Sequence, residues 1–427
     1  MSRHSDVVII GGGIIGLACA YYLMKAGRQV RVIEQDKIGS GASHGNCGLI
    51  YISNPSPLCA PGSIKHEIKR FFKRTSPLYV KPGFDPGRFR WLLAFARNCN
   101  AAHFEHAMRA RHEMLSHSQA LYDELFDKED LDGDLEKKGI LLVYKDKAEW
   151  EDHAKSNAFL EPYGLEAKPV VGDALLELEP ALRPDLYGAW YHPADSHMRP
   201  DRFLAELKKL LIDHDVFMEE DCRLDGFELD KGAIKALKTT TGNFSAESYV
   251  LAAGAWTPQI ARQLGLKIPV QPGKGYSLTM DMPAHEAPVS SADKPTQCPK
   301  IPSYFHERGV VATSWKSGFR LGGTMEFSGF NNIVRRQRVE NLKAAAREYL
   351  KTPPADTMQE EWIGLRPMTH DDLPIIDWAP GHKNLILATG HGMMGITMAP
   401  STGRLVAELI TGSGPHIDPE PYSIKRF

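Results

Sequence analysis

Gly11, Gly13 and Gly16 fall in the spacing Gly-x-Gly-x-x-Gly, and Glu34 follows them by about twenty residues. This set suits a pyrophosphate and a ribose. Gly11 allows a tight turn, Gly13 lets the backbone approach the phosphates, and Gly16 lets a helix sit close on a strand. The helix start then faces the phosphates with unpaired N–H groups and a positive dipole end, and Glu34 accepts from the ribose hydroxyls. A second chemical group is Arg366, fixed by Pro367 and expected at a turn between domains. A guanidinium matches a carboxylate bidentately; it could equally serve a structural ion pair with Asp372 or Glu361. Tyr276 and Tyr304 offer hydroxyls to the same carboxylate or are core tyrosines. His391 lies in a glycine turn, as a site residue or a hydrogen-bonded structural histidine.

These groups need elements to hold them. The apolar run Val7–Ile10 predicts a buried strand, Ile14–Ala26 a helix closed by Gly27, and Gln29–Ile33 a second strand. The unit predicts dinucleotide binding without choosing between NAD and FAD; the alternative is a tight strand–helix turn in another doubly wound fold. Ile38–Ile50 reads as a glycine-rich loop and 55–90 as irregular with short helices. Further helices are predicted at Trp91–Leu125, Trp150–Tyr163, Pro200–His214, Pro258–Leu264, Gln337–Tyr349 and Gly395–Ile410. Strands are predicted at 139–144, 187–191, 216–219, 248–256, 276–282, 309–314, 319–324 and 384–389, with a hairpin over 222–237. The class is α/β: a Rossmann-like nucleotide domain (1–57, 197–260, 361–427) with a discontinuous antiparallel-sheet substrate domain (58–196, 261–360).

The chain has 427 residues and a formal net charge of −2, which gives no electrostatic case for nucleic acid. None of the six cysteines forms a C-x-x-C pair, which argues against a zinc or dithiol centre and predicts buried thiols in a reducing cytoplasm. Residues 7–24 are apolar enough to mimic a signal or membrane segment, but three consecutive glycines and the following strand fit the strand–helix–strand unit better. No other run approaches the roughly 20 apolar residues that span a bilayer.

Five blocks together resemble the D-amino-acid oxidase-type flavoprotein superfamily: the N-terminal fingerprint; Gly39/Ser40, Ser43, Asn46 and Gly48; Val250–Trp256; Gly364-Leu-Arg-Pro367 with Asp372, Pro374 and Ile375; and Ala388–Thr397. They run in the superfamily's order over essentially the whole length. Pro57–Gly62, Ser76–Tyr79, Arg97–Cys99 and Lys274–Ser277 are similar to the small bacterial D-amino-acid dehydrogenases within it. The resemblance implies FAD, held by Ile14, Ile15, Gln35, Ser43, Asn46, Cys47, Gly48 and Leu49 beside the fingerprint. Leu224 contributes its backbone to the adenine, and Ala253, Gly254 and Trp256 close the pocket. Gly390, Gly392, Met393, Met394, Gly395, Ile396 and Thr397 complete it. The residues support FAD independently. A helix starting at Gly395 brings another N-terminus to the site, which favours negative charge on a reduced isoalloxazine; the alternative is a plain strand–helix connection. Cys47 reads as packing, and His44 departs from the dehydrogenase pattern.

The resemblance also implies chemistry. A small D-amino acid docks its carboxylate on Arg366, assisted by Tyr276, Tyr304 and His391, and gives up the α-carbon hydride to flavin N5. The imino acid becomes a 2-oxo acid, and electrons pass to a quinone or other carrier. Small apolar or cyclic substrates fit a roof of Tyr276, Tyr304, Met393 and Met394. A secondary-amine enzyme (D-proline, D-hydroxyproline or a sarcosine-like substrate), an oxygen-reducing oxidase and a non-catalytic electron-relay subunit remain open. The basic-aromatic stretch Lys65–Tyr79 is either a peripheral contact on the inner face of a membrane or a solvated helix.

Overall fold

In the computed structural model, the described residues are 3–63, 76–83, 85–281, 298–352 and 358–427. The expected strand–helix–strand unit is present as His4–Ile10, Ile14–Lys25 and Val30–Ile33. The first strand lies parallel between Val30–Ile33 and Gly242–Leu251, and Leu385–Thr389 extends the sheet in parallel beyond the latter. Phe217–Glu219 adds the far edge, a hairpin (Leu224–Asp230, Ala233–Thr239) hangs on the long strand, and Ile375–Trp378 completes eight strands. The central strands are buried on both faces, as parallel strands under helices must be.

A second, nine-stranded sheet runs Met358–Thr369, Val270–Met280, Gly318–Phe327, Val310–Trp315, Ser303–Phe305, Ile140–Tyr144, Gly188–His192 and Lys168–Val171, with Leu78–Val80 pairing Gly318–Phe327. Helix Arg336–Tyr349 covers one face through Val339, Leu342, Ala345 and Ala346. The other face looks toward the nucleotide unit.

Three expectations change. Arg366 is not at a turn: it lies within the edge strand Met358–Thr369, paired along its length with Val270–Met280. Pro367 is tolerated there because an edge strand has an unpaired side. The strand also straddles the boundary expected at 361, so residues 361–369 belong to the nine-stranded sheet. The long helix expected from Trp91 is two, Pro86–Asn98 and Ala101–Glu129, because Asn100 caps the second by accepting from the His103 N–H at 3.0 Å.

Among the described residues no helix is long and apolar enough to cross a membrane. Residues 65–75 of the expected membrane-contact stretch lie outside the described residues. At its end, Tyr79 lies under the Arg335 and Arg338 guanidinium groups, 4.5 and 5.2 Å from the ring centre.

Candidate active site

Two helix N-termini meet at one cavity. At the first, Gly11 turns with φ +113°, and a Cβ there would stand 2.5 Å from the Ala252 carbonyl oxygen. Gly16 has no room either: a Cβ would fall 1.9 Å from the Gly11 carbonyl. Gly13 differs, since a Cβ would meet only Ser43 Oγ at 3.6 Å. The protein itself therefore leaves space at Gly13. Ser43 Oγ accepts the Ile14 N–H at 3.1 Å, tying the 39–48 loop to the helix start. The second N-terminus begins helix Gly395–Thr411. The two helices cross where Gly403 lies on Ala18; a Cβ at 403 would come within 2.5 Å of the Ala18 backbone. Thr397 Oγ1 donates to the Leu49 carbonyl at 3.1 Å and accepts the Tyr51 N–H at 3.2 Å, binding this helix to the same loop.

The cavity measures about 1930 Å³ and runs from these helix starts to the nine-stranded sheet. Gly11, Gly13, Ile14, Ile15, Glu34, Gln35, Ser43, Asn46, Cys47 and Leu49 line it on one side. Leu224, Ala253, Gly254, Trp256, Gly392, Met393, Met394, Gly395, Ile396 and Thr397 line it elsewhere. Glu34 accepts from the Gly12 and Asp36 N–H groups at 2.8 and 3.2 Å, while burial pushes its pKa up. Gly16, Gly48 and Gly390 do not line the cavity and serve backbone packing. A Cβ at Gly48 would stand 1.8 Å from the Met198 carbonyl, and one at Gly390 2.6 Å from Thr369 Cγ2.

At the far end stands Arg366. It pairs with Gly273, and its guanidinium lies across Gly275, where a Cβ would come within 2.5 Å of Cζ and Nη2. Nη1 donates to the Thr324 carbonyl at 2.6 Å. The acids that could have made it structural are engaged elsewhere. Asp372 pairs with Arg111 at 2.8 Å and accepts from the Leu58 N–H, and Glu361 pairs with Arg336 at 2.7 Å. Among the described residues no carboxylate reaches Arg366. A cavity-facing guanidinium with no counter-charge is a site for an anion.

The other sequence candidates divide. Tyr304 faces the cavity, beside Leu142 and Tyr51. Tyr276 is among the residues that line the cavity but does not join Arg366: it packs in the cluster with Leu342, and its hydroxyl donates to Glu326 at 2.9 Å. His391 is buried with Nε2 3.0 Å from Thr402 Oγ1, and burial pushes its pKa down to about 3. It is neutral and hydrogen-bonded, the arrangement of a structural histidine on the cavity wall.

The family described as "DAO: FAD dependent oxidoreductase" matches residues 6–409. This chain belongs to that family. It is 31% identical over 427 residues to the D-amino acid dehydrogenase of Agrobacterium fabrum, covering 99% of each chain. It is equally similar, at 31%, to that of Vibrio atlanticus, covering 99% of this chain and 100% of the relative. A glycine oxidase structure from Geobacillus kaustophilus superposes with a TM-score of 0.77 at 24% identity, over 100% of both chains. An L-proline dehydrogenase from P. horikoshii gives 0.70 at 20% identity, over 100% of this chain and 99% of that one. The fold is therefore that of DAO-family flavoenzymes, and the protein is an FAD-dependent oxidoreductase. The structure suits the cofactor: two helix N-termini, a glycine turn with room at Gly13 and the half-buried acid Glu34 share one cavity.

Two features of the site were missed from sequence. Arg320 is buried; its Nη1 donates to the His44 and Asn46 carbonyls at 2.9 and 2.7 Å, and Nε to Thr279 Oγ1 at 2.9 Å. It clamps the 39–48 loop against the sheet. The signal was available: an arginine at an alternate position inside the apolar strand segment Phe319–Leu321. Trp362 lies over Gly45 and Gly364, where Cβ atoms would come within 2.2 and 1.8 Å of the ring. Cys47 packs as expected from sequence, and His44, the departure from the dehydrogenase pattern, is engaged by a carboxylate. Cys47 Sγ fills the space over Gly322, and burial pushes its thiol up to about 11, so it is an un-ionised packing group. His44 Nε2 meets Glu360 Oε1 at 2.8 Å.

Proposed function

We propose that this oxidoreductase removes the α-hydrogen of a free D-amino acid, giving an imino acid that water hydrolyses to a 2-oxo acid and ammonia. Bound FAD supplies the two-electron acceptor. The observation that carries the reading is Arg366, facing the cavity without a carboxylate partner among the described residues. Its fork takes the substrate carboxylate bidentately, while Thr324 and Gly275 hold the guanidinium plane. Tyr304 stands on the same cavity side. The carboxylates on the described cavity wall are Glu34, Asp36 and Glu105. None lies beside Arg366 in the sheet, so the substrate amine meets no anionic partner there and binds neutral. The chain's contribution is orientation and exclusion of water. The D configuration rests on the full-length relatives; electrons leaving to a quinone or other carrier rather than oxygen belongs to the same proposal.

The nucleotide is held by the two helix N-termini, the 39–48 loop and Glu34. Gly13→Val places a side chain where the protein leaves room, so it abolishes flavin retention with the fold intact; flavin stoichiometry and circular dichroism check this. Anaerobic stopped-flow bleaching tests the activity. D-Alanine and D-proline should bleach the flavin at least roughly 100-fold faster than their L forms. Equal rates for enantiomers, or bleaching by sarcosine alone, would replace this reading with a secondary-amine enzyme.

A further inference from the structure

We infer that the cavity holds a second binding site, built by Tyr51, His153 and His192 away from Arg366, for the ring of a quinone that reoxidises the bound flavin. The inference rests on the reading that electrons leave to a carrier, and it says where that carrier binds.

The two ends of the cavity are far apart in the nine-stranded sheet. His192 ends strand Gly188–His192, and Arg366 lies on Met358–Thr369. Six strand spacings separate these strands, on the order of 30 Å measured along the sheet. That is beyond the reach of an amino-acid side chain held at Arg366. The cavity that joins them measures about 1930 Å³, against roughly 300–1000 Å³ for a usual single-ligand pocket. It has room for a third molecule beside a nucleotide and a small substrate.

The walls at this end are aromatic and uncharged. Tyr51 stands edge-on to His192, 5.9 Å between ring centres. The His153 ring lies 5.6 Å from Trp190 and 5.7 Å from Tyr144. Tyr51, His153 and His192 all line the cavity. The charged residues on the described cavity wall are Glu34, Asp36, Glu105, Arg109, Arg223 and Arg366, and none belongs to strand Gly188–His192 or to helix Lys147–Ala158, which carries His153. Among the described residues, three buried ring nitrogens here complete no hydrogen bond: both of His192, which is 2% exposed, and Nε2 of His153. The Leu165 backbone bears on the His192 ring but does not satisfy it. Burial pushes the His153 and His192 pKa values down to about 4 and about 3, so both rings are neutral, each with one N–H to donate.

Buried donors left unanswered cost free energy until a ligand accepts from them. A quinone suits them, because its ring is flat and uncharged and its two carbonyl oxygens accept. The ring takes two electrons and two protons from the reduced flavin; both oxygens become hydroxyls, and the flavin returns to its oxidised form. The position fits that exchange. The Tyr51 N–H is held by Thr397 Oγ1 at 3.2 Å, at the start of helix Gly395–Thr411, so this end adjoins the cofactor. The way in is apolar. Helix Lys147–Ala158 ends at Phe159, which lines the cavity with Leu160, is 55% exposed and packs on Phe104 at 5.5 Å. Such a mouth admits a ring that carries a hydrocarbon tail.

The test uses the flavin-loaded enzyme and menadione, a tail-free naphthoquinone. Calorimetry on the oxidised enzyme reads binding without turnover. Stopped-flow reoxidation of photoreduced enzyme reads electron transfer with no amino acid present, and its rate should saturate with menadione. His192→Phe should weaken menadione binding about tenfold while flavin content holds, and His192→Asn, which restores a donor, should recover most of the loss. Phe159→Glu should slow reoxidation by a decyl-substituted benzoquinone about fivefold, by placing a charge in the path of the tail. Acetate, which takes the Arg366 end, should not displace menadione. The inference fails if menadione does not bind, if reoxidation rises without saturating, or if acetate displaces menadione. It also fails if His192→Phe keeps both flavin and wild-type menadione affinity. Should His192→Phe lose flavin, an unchanged decyl-benzoquinone rate in Phe159→Glu overturns the site. Failure of the carrier reading looks different: menadione binds as described, but oxygen at equal concentration reoxidises the flavin faster, which overturns the acceptor role.

Discussion

The paired strands Val270–Met280 and Met358–Thr369 carry a cation on each face, and the two are treated in opposite ways. On the helix-covered face, Lys274 Nζ meets Glu326 Oε1 at 3.2 Å, Asn331 Oδ1 at 2.6 Å and the Ile333 carbonyl at 3.0 Å. Tyr276 and Arg335 complete the shell of Glu326 at 2.9 and 3.2 Å. On the cavity face, Arg366 has one carbonyl and a strip of glycines. A lysine with a carboxylate and two further oxygen acceptors is spent on structure. An arginine whose fork is left largely unanswered toward a cavity is available to a ligand.

Four experiments can break or sharpen this contrast. Lys274→Met should be the most damaging to folding. It strips Glu326 of a buried partner and should destabilise by about 3–5 kcal/mol in urea unfolding. Arg366→Lys should leave stability and flavin content alone but lose the planar fork, costing about 2–4 kcal/mol, or roughly 30- to 1000-fold in kcat/KM. A large stability loss from Arg366→Lys would erase the contrast. Gly275→Ala should be milder. The added methyl meets only the movable end of Arg366, so the melting temperature should hold while KM for the amino acid rises about tenfold.

The smallest expected effect is in pH. Burial works to raise the Glu326 pKa, but hydrogen bonds from Ser328 and Tyr276 and the charge of Lys274 hold it below its ordinary 4.5. A depressed carboxylate contributes stability that is present above about pH 4.5 and lost as pH falls through its folded value. Lys274→Met should therefore move the onset of acid unfolding to higher pH, by about one unit or less. Acid titration of the circular dichroism signal measures it, and an unchanged onset would detach Glu326 from the network.

How much of this could be read beforehand differs between the same two regions. The fingerprint, Glu34 and the helix from Gly395 were legible because each is a local pattern in which strand, turn and helix follow in sequence. Arg366 was legible as a residue but not in its setting. Glu360, Glu361 and Pro367 disguise an edge strand that is held by its partner rather than by its own apolar alternation. The face taken by Tyr276 was not legible at all. Strand Val270–Met280 is buried on both sides over most of its length, so no polar alternation marks which way a side chain points. Arg320 stood out between Phe319 and Leu321, but its strand is buried on both faces, so nothing local showed which face it takes. The loop it clamps was read as glycine-rich, but its clamp comes from almost 280 residues later, as the 2.9 Å contact to His44 shows.

The crossing of Gly403 on Ala18 has a consequence for biosynthesis. Helix Ile14–Lys25 makes half of a binding site whose other half, helix Gly395–Thr411, is synthesised far later. Leu385–Thr389, which supports that helix, must likewise be made before it can join residues 249–251. Stable cofactor capture must therefore follow synthesis of both helices, and a nascent chain stalled before Gly395 would offer the nucleotide only one of its two helix ends.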